Sequence, residues 1–141
     1  MNCFMKQQWK EEIEQIIARL SCAAVLEYSE LPGPSAIPEG KGVYIIFDKV
    51  SREVLYVGKT TNLRQRLYYN HLMGPLANAR LKKYLIEDVE YSDIADLGAA
   101  KTYIRERCSF LFLLEEDYRK RGHLEGLLSF LCDCRYVDLE H

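Results

Sequence analysis

Nowhere in the chain do about 18 apolar residues run together, which excludes a membrane-spanning helix. The first ten residues, Met1 to Lys10, lack the apolar core of a signal peptide, so the expected location is the cytoplasm and no membrane partner is expected. There is no CxxC pair, and no histidine stands at zinc-ligand spacing from any of the five cysteines, Cys3, Cys22, Cys108, Cys132 and Cys134. Their odd number argues against a disulfide framework, and reduced, mostly buried thiols are expected. Internal repeats and low-complexity segments are also missing. Most informative is a local absence: from Val54 to Ile86 there is no aspartate or glutamate, while Lys59, Arg64, Arg66, Arg80, Lys82 and Lys83 supply six positive charges. The remainder of the chain then carries 13 basic against 21 acidic residues, and the overall net charge of −2 conceals this separation. Phosphate binding depends on local potential and not on the total, so the cluster suits a polyanion; a solvated helix face would look the same.

What is present is enough for one compact domain: 141 residues, 48% of them hydrophobic. Residues 7–20 place Trp9, Ile13, Ile16, Ile17 and Leu20 at helical spacing, which predicts an amphipathic helix packed on the core. The same helix offers a surface through which two copies could pair as a homodimer. Pro32, Pro34 and Pro38 make the following segment an irregular connector, so the expected organisation is an N-terminal helix and connector over 1–37 and a main domain over 38–141.

Gly42 to Asp48 and Val54 to Lys59 are β-rich runs separated by five residues and read as an antiparallel hairpin. Alternation puts Tyr44 and Ile46 on one face and Val43, Ile45 and Phe47 on the other. Thr61 or Asn62 is suited to cap a helix reaching about His71, and residues 78–88 predict a second helix. Asp96 precedes a third, SFLFLLEE reads as a buried strand, and Leu124, Leu127, Leu128 and Leu131 mark a final helix. The fold class is therefore α/β in the broad sense, an α+β sandwich with a small central sheet of about three strands, partly antiparallel, flanked by helices.

Gly42-Val43-Tyr44 and Tyr56-Val57-Gly58 stand on the two paired strands, with Lys59, Asn62-Leu63 and Arg66 following in register. On these residues, over roughly Pro38 to His71, the chain resembles the GIY-YIG nuclease family. The resemblance implies an endonuclease that hydrolyses DNA, with RNA still open as a substrate. It further implies one divalent cation, Mg²⁺ or Mn²⁺, bound by a glutamate on a late helix. Two glutamates compete for that role. Glu106 has the Arg66 spacing of shorter members; Glu125, in HLEGLLSFLCDCRYV, has the expected context and follows a strand, and is preferred. Under the resemblance Tyr44 is the general base, Tyr56 helps hold the attacking water, Lys59 and Arg66 contact phosphate, and His71 assists proton transfer or touches a phosphate. A phenol of ordinary pKa about 10 serves as base only if its surroundings lower that value, and Lys59, Arg66 or the cation are the expected agents. Single-carboxylate binding implies a one-metal mechanism. One departure stands out. Val137 occupies the place of the family's asparagine, with Asp138 next to it, and the alternative reading is a nucleic-acid-binding protein that keeps the fold but no longer cuts.

Overall fold

A computed structural model describes residues 4–138. Its elements are α1 (Trp9–Cys22), β1 (Leu26–Glu27), β2 (Gly42–Asp48), β3 (Val54–Thr60), a π-helix (Gln65–Leu72), α2 (Arg80–Glu87), α3 (Leu97–Arg107), β4 (Cys108–Leu114) and α4 (Tyr118–Leu131), joined by short 3₁₀ turns. The four strands form one antiparallel sheet in the order β1-β4-β2-β3. The α+β class and the hairpin agree with the sequence. The fourth strand, β1, adds to the three expected and has only two residues, too few to show alternation.

Lying between β3 and β4, β2 has every residue from Gly42 to Asp48 buried. Alternation divides the core accordingly. Tyr44, Ile46, Tyr56 and Phe110 face one way, into a cluster with Leu67 of the π-helix, Leu81 and Leu85 of α2, and Ile104 of α3. Val43, Ile45, Val57 and Leu113 face the other way, against Leu124 and Leu128 of α4 and Ile16 and Leu20 of α1. Helix α1 thus packs on the sheet through two of its five apolar residues, while Ile17 stays 47% exposed. The proline-rich connector is irregular but anchored, since Ile37 and Tyr28 are buried and the Tyr28 hydroxyl donates to the Leu67 carbonyl at 3.0 Å.

Beyond α4 the chain turns back along β3. Arg135 and Tyr136 donate their backbone N–H groups to the carbonyls of Val54 and Leu55 at 2.9 and 3.1 Å. The Arg135 guanidinium reaches Asp88 (2.8 Å), Glu53 (3.1 Å) and Glu90 (2.7 Å), and the Tyr136 hydroxyl donates to Asp88 at 2.7 Å. This anchorage fixes the position of Val137 and Asp138. The four described cysteines are all free, Cys108 buried and Cys22 exposed, and Cys3 lies outside the described residues. Among the described residues no helix is long and apolar enough to cross a membrane.

Candidate active site

The site begins with a cross-strand pair. Tyr44 of β2 stands opposite Gly58 of β3, and a methyl group on Gly58 would overlap the Tyr44 Oη and Cζ atoms and come within 2.9 Å of Cε1. The second glycine of the paired motifs is therefore the floor on which the tyrosine ring lies. Tyr56, two residues back on the same face, stacks beside it with ring centroids 6.4 Å apart. From the π-helix, His71 brings Nε2 to 2.7 Å from the Tyr44 hydroxyl, and its ring packs against both tyrosines at 5.3 and 5.2 Å.

Sequence periodicity predicts an ordinary helix for the segment through His71, and the difference matters. In an α-helix, residues five apart diverge by about 140° around the axis. In a π-helix the hydrogen bonds run from i to i+5, as from the Met73 N–H to the Tyr68 carbonyl at 3.0 Å, and residues five apart lie on one side. Arg66 and His71 are five apart, and both act on Tyr44: one through its ring nitrogen, the other through a guanidinium hydrogen bond and its charge. A second guanidinium nitrogen of Arg66 has a fixed partner, since its Nη1 donates to the Asn78 carbonyl at 2.6 Å.

His71 is fully buried, and its Nδ1 has no hydrogen-bond partner. A buried N–H left without an acceptor costs more than a lone pair left without a donor. While Tyr44 is a neutral phenol its own buried O–H needs an acceptor as much as an Nδ1–H would, and either ring nitrogen can carry the proton; once the oxygen is anionic the proton belongs on Nε2, which then donates to it. Burial holds the imidazole well below its usual pKa, helped by the charges of Arg66 and Lys82, so the ring is neutral. The His71 ring nitrogen and the Arg66 charge accordingly both act on one phenol oxygen.

The expectation that cationic neighbours lower the Tyr44 pKa is corrected by the burial of the ring. Desolvation is the larger effect and pushes Tyr44 above its ordinary value, although Arg66 opposes it. Tyr56, also raised chiefly by burial, is pushed up to about 12. Neither ionises in the free protein near neutral pH.

Glu125 enters from α4. It is half-buried, sits close enough to Lys59 to feel both its charge and its backbone N–H, and its charge acts on Tyr44 and Tyr56. Burial first, and the nearby Asp138 carboxylate after it, raise its pKa. With Tyr56, Ser129 and Asp138 it lines a hollow of about 240 Å³. Two carboxylates that repel each other beside hydroxyl groups make a hard-oxygen donor set, which fits Mg²⁺ or Mn²⁺ better than a soft metal. No group of three or more His, Cys, Asp or Glu side chains suited to a metal occurs among the described residues. Glu106 is exposed on α3, and the glutamate whose charge acts on Tyr44 and Tyr56 is Glu125.

Residues 40–107 match the family model of the GIY-YIG catalytic domain. This stretch is a GIY-YIG nuclease domain. The match ends before β4 and α4, so the family model includes Glu106 and stops short of Glu125, whose place beside the tyrosines is a matter of geometry. Among the solved structures similar to the chain are two of the GIY-YIG N-terminal endonuclease domain of UvrC from Thermotoga maritima. A point mutant bound to its catalytic divalent cation is 15% identical, with 96% of this chain and 100% of that chain covered and a TM-score of 0.41. The magnesium-bound form is 19% identical, with 95% and 100% covered and a TM-score of 0.39. No curated protein sequence matches the chain.

Around this GIY-YIG centre the six cations counted from sequence meet different fates. Lys82 is corrected outright: it is fully buried, and its ammonium donates to the carbonyls of Asn70 (2.6 Å) and His71 (2.8 Å) at the end of the π-helix. It closes a helix end and cannot reach a phosphate. Burial and the charges of Lys101 and Arg66 lower its pKa to about 8. Arg64 is committed to Glu39 at 2.6 Å and to the Ile37 carbonyl at 2.8 Å, and Arg80 to Asp138 at 3.3 Å. Lys83 is exposed on α2. Lys59 and Arg66 together line a cleft of about 560 Å³ with Thr60, Thr61, Asn70, Tyr118 and Arg121.

Two participants were not legible as such. Arg121, at a spacing that suggests a surface or orienting partner for Glu125, is buried and donates to the Glu115 and Glu116 carbonyls at 3.1 and 2.8 Å, fixing the start of α4. Asp138, next to the exposed Val137, accepts from the Tyr84 hydroxyl at 2.7 Å and lines the Glu125 hollow. Its position depends on the Arg135 anchorage, which no local pattern announces.

Proposed function

We propose that the chain is a metal-dependent endonuclease that hydrolyses phosphodiester bonds of nucleic acid, with DNA as substrate and a single Mg²⁺ or Mn²⁺ held at Glu125. One observation carries the reading. Two buried tyrosines, a guanidinium, an ammonium and a half-buried carboxylate, drawn from β2, β3, the π-helix and α4, lie around one point. A protein that only binds nucleic acid has no need of a histidine buried behind a tyrosine hydroxyl.

Hydrolysis needs a proton removed from the attacking water, charge neutralised on the non-bridging oxygens and a stabilised leaving oxygen. When bound, the cation supplies charge neutralisation at the phosphate and makes its coordinated water more acidic. Tyr44 is the base. The phenol first releases its proton to solvent, and the phenolate oxygen then accepts the proton of the attacking water as the new P–O bond forms and the ester P–O bond breaks, the leaving oxygen taking up a proton from solvent. His71 and Arg66 make this possible by donating to that oxygen as it becomes anionic, offsetting the desolvation that otherwise keeps the phenol protonated. Tyr56 holds the water from the neighbouring strand, while Arg66 and Lys59 bind the phosphate oxygens, one as a planar fork and the other as a point charge. Asp138, next to Val137, adds a second oxygen donor beside Glu125.

The test is cleavage of supercoiled plasmid and short flapped, branched and single-stranded DNAs in Mg²⁺, Mn²⁺ or EDTA. Glu125→Gln should reduce cleavage by at least about 100-fold while folding and binding persist, the size of effect seen when a transition-state charge loses its partner. Glu106→Gln should not. Reversal of the two results would move the cation to α3. The non-cutting alternative is favoured by one feature, Val137, which cannot take over an asparagine's hydrogen bonds and is 69% exposed. Retained binding with no cleavage in any metal would establish it.

A further inference from the structure

We infer that the cleft beside the tyrosines is a subsite for an unpaired nucleotide, with Tyr118 as its stacking platform, so that the substrate carries a single-stranded arm next to the cut. This rests on the nuclease reading above and names the substrate class within it.

Tyr118 is the first residue of α4 and is 74% exposed. Among the described residues it makes no hydrogen bond or ring contact, whereas Tyr28, Tyr44, Tyr56, Tyr84, Tyr91, Tyr103 and Tyr136 are all engaged in such contacts. Its ring forms one wall of the 560 Å³ cleft whose other walls carry Lys59, Arg66, Thr60, Thr61 and Asn70. Lys59 and Arg66 belong equally to the site, so a strand whose scissile phosphate lies between them has its neighbouring nucleotide in reach of the ring. Arg119 and Lys120 follow Tyr118 directly, are exposed and have no ion pair among the described residues.

Two of the three acidic residues at this helix start are engaged with the backbone. Asp117 accepts from the backbone N–H groups of Arg119 and Lys120, and Glu115 from that of Asp117, which leaves Glu116 as the free carboxylate. Buried Arg121 pins the carbonyls of Glu115 and Glu116, so Tyr118 is presented from a rigid turn. An exposed aromatic on a fixed support, set between cations that track a backbone, is how proteins hold single-stranded nucleic acid. A base inside a duplex has no face free to stack on it.

Binding is read in EDTA, without turnover, for a splayed-arm DNA and a blunt duplex of equal length. Tyr118→Ala should weaken binding of the splayed DNA about tenfold, corresponding to about 1.4 kcal/mol and to one base–aromatic stack. Tyr118→Phe should keep wild-type affinity, and the duplex should bind all three proteins alike. A 2-aminopurine placed along the arm should be quenched at one position by the wild type and at none by Tyr118→Ala. Equal losses on both DNAs, no loss on either, or an identical defect in the Phe variant would overturn the subsite. Cleavage that is indifferent to Tyr118 would remove this inference and leave the nuclease reading intact. Position-specific quenching without any cleavage would do the reverse.

Discussion

Replacing Gly58 by alanine tests the central claim about geometry, that the glycine is there because the Tyr44 ring lies over it. The new methyl group falls on Oη and Cζ of a side chain that is 1% exposed and packed among Tyr56, His71 and Leu67. Overpacking of this kind costs about 1–3 kcal/mol. Displacing the ring also breaks the 2.7 Å bond to His71 and orphans the buried Nε2, at about 1–3 kcal/mol. Against these, exchanging glycine for alanine in a strand returns about 0.5–1 kcal/mol. The net expectation is a loss of about 2–4 kcal/mol, small enough for a domain of this size to remain folded. In a thermal melt that is a fall of roughly 6–14 °C. Cleavage should suffer more than stability, by about 100-fold or more, because the base moves relative to the phosphate. Gly126→Ala is the comparison: nothing lies within 4 Å of its added methyl, and on the exposed face of α4 it should raise stability by up to about 1 kcal/mol. A Gly58→Ala protein that melts within about 2 °C of the wild type and cuts normally would refute the argument.

Other predictions concern the scaffold. The Arg135 contact lowers the Asp88 pKa to about 2, below its unfolded value of about 3.9, so this contribution is complete above pH ~4 and disappears as pH falls from there toward 2. Chemical denaturation across that range should show stability falling with acid, and Asp88→Asn should flatten the fall; an unchanged slope would sink the assignment. Arg135→Ala, which leaves Asp88, Glu53 and Glu90 facing one another, should destabilise by about 2 kcal/mol and loosen the segment carrying Asp138. Lys82→Met keeps the length of the side chain but strands two carbonyls, so stability should drop about 1–3 kcal/mol while the salt dependence of DNA binding stays as it was. Arg66→Ala should do the opposite to binding, reducing the slope of log affinity against log salt by about 1. If Lys82→Met flattens that slope too, the lysine is not buried in solution.

The parts of this protein that can be read from sequence are those set by neighbours along the chain. Paired tripeptides fix the hairpin register, because Tyr44 must meet Gly58 for the tyrosine to lie flat, and the succession of strand β4 and helix α4 singles out Glu125 by position. What escapes notice depends on contacts remote in sequence. The two residues of β1 form a strand only because β4 offers them an edge. The π-helix differs from an α-helix by a fraction of a residue per turn, which the hydrophobic pattern of QRLYYNHL does not resolve. Lys82 looks like its neighbour Lys83, yet one turns inward to carbonyls twelve and eleven residues away and the other faces solvent.

Charge counting illustrates the same limit and leads to a different picture of the nucleic-acid face. Six cations without an intervening acid suggest a strip along residues 54–86, but acids from other segments reach into it: Glu39 takes Arg64, and Asp138 takes Arg80. With Lys82 buried, the strip loses half its members as phosphate ligands. Lys59 and Arg66 remain at the cleft, and the nearest unpaired additions come from an unexpected quarter, Arg119 and Lys120 at the start of α4. The start of α4 contains as many acids as bases and would be dismissed on sequence as self-neutralising. Asp117 and Glu115 accept backbone N–H groups at the helix start, while Arg119 and Lys120 make no ion pair among the described residues, which leaves two bases beside the one uncommitted carboxylate of Glu116. On the nuclease reading proposed above, the polyanion is drawn across the cleft from β3 to α4, past Tyr118.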